Sequence, residues 1–459
     1  MKDRCKLVLI GAGSTVFTQR LVADLILSGQ TDRWELALVD IDPVTLDAVD
    51  RLVRKMLTLK NVNFPIMSTT NRREVLTGAD FVVTTIAVGG RRGWELDVTV
   101  PRKHKIYQPV GDTMMPGGIS RAMRMIPQML AIAEDVKELC PQAYFFNYSN
   151  PMTAVCRAIR VKTGVPVIGL CHGVHYVEGV LASFLGKKEG SITSFGVGLN
   201  HLTFLTDIRC NGEDAMPMLK AKASEQRPLV RQEIRDKTDW PNSVTGRAPR
   251  YSDDPLAWSI FERYGVFPVA MDRHITEFYP ERFPHGQYYG RTLGVDAFSI
   301  DGRIALGDTW FEEMLAVARA PDPLPESYFD NVPGESEQLV EIMQSLLLDQ
   351  RRVFSVNMPN HGAAPGLPWD AILEMPAAAG GAGFMPLQSK SLPPALTAKL
   401  LSKIAAIEVT VEAALTGSFD LFVEALLTDA SVSDPDDAVA LARDLIEAHK
   451  VHLPQFASR

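Results

Sequence analysis

Cysteine is scarce in this chain. Its five residues, Cys5, Cys140, Cys156, Cys171 and Cys210, are odd in number, far apart and free of any Cys-x-x-Cys spacing. That pattern argues against a disulfide framework and fits a reducing compartment, so a cytoplasmic protein is expected. Concentrated charge is lacking as well. The formal charge is −8 and the 47 basic residues are scattered, which leaves no basic surface of the kind duplex nucleic acid requires. No apolar run approaches the ~18 residues of a membrane span, and the one that follows Lys2, Asp3 and Arg4 is too short for a signal peptide. Neither nucleic acid nor membrane is an expected partner. There is no internal repeat and no low-complexity tail. What is present is a globular chain of 459 residues, 46% hydrophobic, long enough for two or three domains.

Lys6 to Ile10 is an apolar run of strand type ending at Gly11, Thr18 to Ser28 has helical apolar spacing, and Trp34 to Val39 reads as a second buried strand. This is one βαβ unit. Helical patterns at Pro43 to Leu59 and Arg72 to Thr77 alternate with strand-like Phe81 to Ile86, Tyr144 to Tyr148 and Pro166 to Leu170, as in an open parallel sheet. The spacing predicts an α/β fold: a first domain over 1–170 and a second, α+β domain over 171–459. In the second, Ser194 to Val197 and Leu202 to Ile208 read as strands and Arg235 to Asp254 as surface loop. Ala377 to Pro386 has a linker's composition, but the helical segments Pro394 to Leu415, Leu421 to Leu427 and Pro435 to His449 follow it. They are expected to pack back on the second domain.

A strand ending in Gly-x-Gly and running into a helix lets the backbone approach a pyrophosphate, and the helix N-terminus supplies N–H donors. Gly11 and Gly13, followed by Ser14, fill those places, although Val16 stands where a third small residue is usual. A lone Gly-x-Gly reads equally well as an ordinary tight turn. Asp40, at the end of the second strand, decides between them. Its carboxylate can bind both ribose hydroxyls and would repel a 2′-phosphate, which selects NAD over NADP.

Asn147-Tyr148-Ser149-Asn150-Pro151 closes the strand from Tyr144 and resembles the strand-end Asn-Pro of lactate and malate dehydrogenases, as does the order of the domains. Those enzymes carry an Asp-x-x-Arg pair and a Gly-x-His-Gly-Asp segment downstream. This chain has neither. It has Gly169-Leu170-Cys171-His172-Gly173-Val174 and Gly198-Leu199-Asn200-His201-Leu202 instead. A cysteine after an apolar strand is often just a small buried hydrophobe. A thiolate and an imidazole together beside nucleotide-fold strand ends are ligand types for a divalent transition metal, and Cys171 and His201 are read as such.

With these motifs assembled, the chain resembles the NAD- and manganese-dependent enzymes of glycoside hydrolase family 4. Gly11-x-Gly13-Ser14, Pro116-Gly117-Gly118, Asn150-Pro151, Cys171-His172 and Asn200-His201 match that family's motifs in order. So do Val356-Asn357-Met358-Pro359-Asn360 with Leu367-Pro368, Glu374-Met375-Pro376-Ala377 and Thr416-Gly417. The resemblance implies oxidation of the sugar 3-hydroxyl by NAD, loss of the acidified C2 proton, elimination of the aglycone, addition of water and return of the hydride. It implies that Mn2+, or another divalent ion, held by Cys171 and His201 grips the sugar 2- and 3-oxygens, with Asn150 touching the same hydroxyls. For the C2 base it points to Asp272, with Tyr264 as rival. For the acid it points to Asp112, with His172 as alternative.

The Cys171-His172-Gly173-Val174 form resembles the family's subgroup for unphosphorylated α-glycosides, in particular α-glucuronidases. A uronate carboxylate calls for arginine, and Arg91, Arg92, Arg121, Arg124 and Arg273 are available, with Arg92 and Arg273 taken as candidates. The expected substrate is therefore a small α-hexuronide, with a neutral α-glucoside or α-galactoside as the alternative. A malate/lactate-type dehydrogenase would differ by accumulating NADH. An NAD-sensing protein without chemistry is disfavoured by Cys171 and His201. Apolar helices and family habit point to a homodimer or homotetramer.

Overall fold

The computed structural model describes residues 4–15, 17–236, 249–330, 332 and 338–456. The first half alternates as the periodicity predicts. In chain order it contains β1 (Cys5–Ile10), α1 (Phe17–Leu27), β2 (Trp34–Val39), α2 (Pro43–Leu59), β3 (Ile66–Thr69), α3 (Arg73–Leu76) and β4 (Phe81–Thr84). There follow α4 (Gly90–Lys103), α5 (Met115–Leu139), β5 (Tyr144–Asn147), α6 (Met152–Thr163) and β6 (Val167–Gly169). Leu7, Val8, Leu9, Leu36, Ala37, Leu38, Phe81, Val82 and Val83 are wholly buried, because parallel strands covered by helices on both faces have no solvent side. Asp42 starts α2 by accepting the Val44 N–H at 3.1 Å, with Pro43 at the first helical position.

These strands lie parallel in the order β3-β2-β1-β4-β5-β6. The order reverses between β1 and β4, and ligands of such sheets bind at the carboxyl ends beside that switch point.

The second half contains α7 (Gly173–Phe184), β7 (Ile192–Leu199), β8 (Leu202–Cys210), β9 (Glu213–Asp214), α8 (Met216–Asp236), α9 (Pro255–Tyr264), β10 (Phe267–Pro268) and α10 (Met271–Ile275). It continues with β11 (Gln287–Tyr288), β12 (Arg291–Thr292), α11 (Ile300–Arg319), α12 (Leu339–Leu347), β13 (Arg352–Pro359), β14 (Ile372–Gly380) and β15 (Gly383–Pro386). Three helices close the chain: α13 (Pro394–Thr416), α14 (Phe419–Thr428) and α15 (Pro435–His449). The parallel sheet does not stop at residue 170. β13 pairs antiparallel with β6, and β14, β7, β8 and β10 extend the same sheet.

Several expectations change. Ala377 to Pro386 forms the β14–β15 hairpin, with Ala377 and Ala379 wholly buried, because small side chains let the strands pack closely. Pro116-Gly117-Gly118 is the first turn of α5. A Cβ on Gly118 would lie 2.3 Å from the Thr113 carbonyl carbon, so glycine is needed there for close approach of the preceding loop. Arg235 and Asp236 end α8 and Tyr251 to Asp253 form a buried 3-10 turn, so the ends of the expected loop are structured; residues 237–248 of it lie outside the described residues. Val16 also lies outside them. The three final helices pack on the first half. α13 lies on α5 and α6, and α15 on α4. α5 and α6 are buried on more than one side, as helices between a sheet and a further helical layer must be.

Candidate active site

At the end of β1 the backbone N–H groups of Gly11 and Ala12 donate to the Val39 carbonyl at 2.8 and 3.0 Å, and Thr85 donates to the Gly11 carbonyl at 2.8 Å. Gly11 has φ +93°, and a Cβ there would sit 2.9 Å from the backbone of Thr85 and Ile86. Glycine is required at that position. Asp40 accepts the Gly13 N–H at 2.7 Å and the Asp42 N–H at 3.0 Å, which leaves each carboxylate oxygen a lone pair for a hydroxyl donor. Ser14 Oγ accepts the Phe17 N–H at 3.2 Å and so begins α1. The four residues expected at the cofactor thus lie together.

The loop between α4 and α5 carries Asp112. Asn150, after β5, donates from Nδ2 to Asp112 Oδ2 at 3.1 Å, and its Oδ1 is buried without a hydrogen-bond partner. Arg121 donates to the Asn150 carbonyl at 3.1 Å. Ser149 donates to the Ile86 carbonyl at 2.8 Å, which ties this strand end to the loop lying against Gly11. The link puts Asp112 on the cofactor side of the sheet.

His201 sits in the β7–β8 turn with φ +67°, and its Nδ1 is 2.8 Å from Thr113 Oγ1. Thr113 donates to Asp112 at 2.7 Å, so the hydroxyl proton is used and His201 Nδ1 must carry its own. Nε2 then holds the lone pair. His274, on α10, lies beside it with ring centroids 4.2 Å apart and the rings tilted by 49°, and its Nδ1 is buried without a partner. Ligand atoms of Asp112, His201 and His274 all lie within 4.8 Å of one another. Burial pushes both imidazoles below their ordinary value, which keeps them neutral. Burial raises the Asp112 carboxyl, but His201, His274 and Arg121 outweigh it and hold the group below the usual carboxylate range.

The remaining expected residues divide. His172, exposed at the start of α7, is near enough to His201 and His274 for its charge to disfavour theirs. Cys171, at the end of β6, accepts the Gly173 N–H at 3.4 Å and is not part of the three-residue group. Asp272 is also outside it. Its carboxylate is wholly buried and accepts from the N–H groups of Leu256 and Ala257 and from the Tyr288 hydroxyl, at 2.8, 2.7 and 2.6 Å. Burial pushes it up to about 7 against the pull of those donors. Tyr264 ends α9, half-buried and close to Tyr279. Arg92 is on the surface, paired with Asp308 and Glu95. Arg273 lies within reach of the Asp112 and Glu277 charges.

Sequence reading missed His274, Thr113 and Glu277. Glu277 is 1% exposed, and one of its oxygens accepts the N–H groups of both Val110 and Gly111 at 2.8 Å. It follows His274 by three residues and so holds the Asp112 loop against the segment that bears His274. The cue for His274 was present, a second imidazole beside Asp272 and Arg273, but nothing local says which of the three side chains faces the site.

Two family models cover almost the whole chain. One, described as family 4 glycosyl hydrolase, matches residues 6–187, and the other, the C-terminal domain of family 4 glycosyl hydrolase, matches residues 196–432. Among curated relatives, an alpha-galacturonidase of Thermoanaerobacterium saccharolyticum is 32% identical over 83% of this chain and 81% of its own length. An alpha-glucosidase of Erwinia rhapontici is 30% identical over 92% and 93%. A 6-phospho-alpha-glucosidase from gut microorganisms, solved in complex with NAD and Mn2+, superposes with TM-score 0.79 over 98% of this chain and 99% of that one, at 18% identity.

Proposed function

Because the chain belongs to family 4 of the glycosyl hydrolases, we propose that it cleaves an α-O-glycosidic bond with NAD and Mn2+ as cofactors, on an α-linked hexuronide. The observation that carries this reading is the convergence of Asp112, His201 and His274 beside the Gly11–Asp40 edge of the sheet. One ionised carboxylate and two neutral imidazoles, one with an unpartnered buried nitrogen, suit a divalent transition metal. The cradle made by Gly11, Gly13, Ser14 and Asp40 suits NAD. When bound, these cofactors supply a hydride acceptor for C3 and a Lewis acid for the developing ketone.

The protein's own groups do the rest. Asn150 Oδ1 accepts a sugar hydroxyl. Thr113 fixes the tautomer of His201, and His201, with Cys171 or His274, holds the ion. Of the two groups expected to hand a proton to the leaving oxygen, Asp112 is held ionised, which favours His172. For the C2 proton, Asp272 has a matched affinity near neutral pH, and Tyr264 is its rival. The hexuronide is supported by the alpha-galacturonidase relative and by Arg273, whose Nε is buried without a hydrogen-bond partner; the alpha-glucosidase relative favours a neutral α-glycoside as the second reading. Five cysteines without a disulfide suit a cytoplasmic enzyme, and we infer a homodimer or homotetramer.

The test is a panel of p-nitrophenyl α- and β-glycosides, with glucuronide, galacturonide, glucoside, galactoside and 6-phosphoglucoside, in NAD, Mn2+ and a reductant. Aglycone release from an α-glycoside with no net NADH is expected, and exhaustive dialysis with chelation should abolish it. NADH rising in step with turnover would indicate a dehydrogenase, and release by cofactor-free enzyme would reject the mechanism.

A further inference from the structure

The segment between β4 and α4, residues 85–89, leaves the strand beside the switch point and lies against the Gly11 turn. Thr85 donates to the Gly11 carbonyl at 2.8 Å, and a Cβ on Gly11 would sit 2.9 Å from the Thr85 and Ile86 backbone. The far end of this segment is held by α5, at both backbone groups of one residue. Arg124 Nε donates to the Val88 carbonyl at 2.8 Å, and the Val88 N–H donates to Met125 Sδ at 3.2 Å. Three residues earlier on the same helix, Arg121 donates to the Asn150 carbonyl at 3.1 Å. Residues three apart share a helix face, so one face of α5 reaches the loops beside the cofactor edge and beside Asp112.

The direction of Arg124 is fixed from behind. Its Nη1 and Nη2 donate to the two carboxylate oxygens of Asp97, on α4, at 2.6 and 2.5 Å, and both side chains are wholly buried. That engagement removes Arg124 from the arginines available to a uronate. Gly93, in the first turn of α4, leaves the space, since a Cβ there would come within 3.4 Å of Arg124 Nη2 and of the Val88 carbonyl oxygen. The last helix braces the pair. His449 of α15 brings Nε2 to 3.0 Å from Asp97 Oδ1, and His452 lies against Gly89, where a Cβ would be 3.4 Å from its ring. A buried ion pair stabilises a fold little more than apolar side chains of the same volume, because desolvating both charges offsets their attraction. What it adds is direction: a planar fork seated on a carboxylate aims its remaining edge, Nε, at one carbonyl.

We propose that Asp97 and Arg124 are positioning residues for NAD, which hold Val88 and thereby set the wall that residues 85–89 present to the cofactor. This rests on the reading of the Gly11–Asp40 edge as the NAD cradle. Dinucleotides lie across the strand ends at the switch point, here β1 and β4, so displacement of the segment after β4 alters the cradle although neither side chain touches it. α15, at the other end of the chain, has a part in cofactor binding through Asp97.

The experiment compares wild type with Arg124→Lys and with a double variant, Asp97→Leu and Arg124→Met, which replaces the pair by apolar side chains. Each protein is dialysed free of cofactors and titrated with NAD and, separately, with Mn2+ by calorimetry. Melting temperature and amide exchange over residues 85–93 are measured on the same samples, and turnover of a p-nitrophenyl α-glycoside is followed against NAD concentration. The double variant is expected to melt close to wild type and to retain Mn2+ affinity, yet to bind NAD on the order of 10-fold more weakly. Its exchange should quicken over residues 85–89, and its NAD requirement for turnover should rise far more than kcat falls. R124K, which keeps the charge but loses the fork, should fall between. NAD affinity equal to that of wild type, or losses of NAD binding, Mn2+ binding and melting temperature in the same proportion, would overturn the proposal. Should the double variant not fold, unchanged NAD affinity in R124K rejects it instead. If wild type itself binds no NAD, the cofactor reading fails; if wild type and the double variant bind NAD alike, only the role of the pair fails.

Discussion

At the scale of single residues, the availability of His201 depends on a hydroxyl. Thr113 gives its proton to Asp112 and thereby makes Nδ1 of His201 the donor, leaving Nε2 open. Partners of this kind tune metal affinity by roughly 10- to 100-fold. Thr113→Val should therefore weaken Mn2+ binding by that order while NAD titrates as before, and a Mn2+ titration of chelated protein measures it. Glu277 allows a second prediction with a definite sign. Burial pushes its carboxyl from 4.5 to about 8, so the folded protein holds a proton that the unfolded chain releases. Stability from this group is therefore present below about pH 4.5 and lost as pH rises toward 8, by up to ~1.4 kcal/mol per pH unit. Glu277→Gln keeps an acceptor for the Val110 and Gly111 N–H groups but cannot ionise. Urea unfolding across pH 5–8 should show wild type losing stability relative to the variant, and parallel pH profiles would refute it.

Among the elements, α5 and the loop before it depend on each other. Gly118 lies in the first turn of the helix, where alanine would ordinarily be preferred by about 1 kcal/mol. Here an added Cβ would meet the Thr113 carbonyl carbon and oxygen at 2.3 and 2.6 Å. Backbone cannot yield as a flexible side chain does, so the Asp112–Thr113 loop has to move. Gly118→Ala should cost metal binding and turnover while far-ultraviolet dichroism stays that of the wild type. Full activity in this variant would show that the loop has slack. The same close approach explains why a glycine stands in the first turn of this helix.

For the whole molecule, the consequence of the continuous sheet is mutual dependence of its halves. The edge of β6 is paired by β13, and α5 and α6 are covered by α13. A fragment of residues 1–170 would expose an unpaired strand and the apolar faces of two helices. It should bind hydrophobic dye and melt without a cooperative transition, whereas full-length protein melts cooperatively; a sharp transition in the fragment would contradict this. The parallel half was legible in the sequence because each of its signals is local. The alternation from Lys6 to Leu170, the glycines at 11 and 13 and the aspartate at 40 arise within single βαβ units, and the backbone of one unit fixes their relation. The site was legible only in part: Asp112, Asn150 and His201 were singled out, but His274, Thr113 and Glu277 were not. The sequence by itself determined the class of fold, the cofactor loop and the family motifs. The tertiary structure alone decided that His274 meets Asp112 and His201 and that the last helices cover the first half. Those are contacts between residues far apart in the chain, set by sheet register and helix packing, and no local periodicity encodes them.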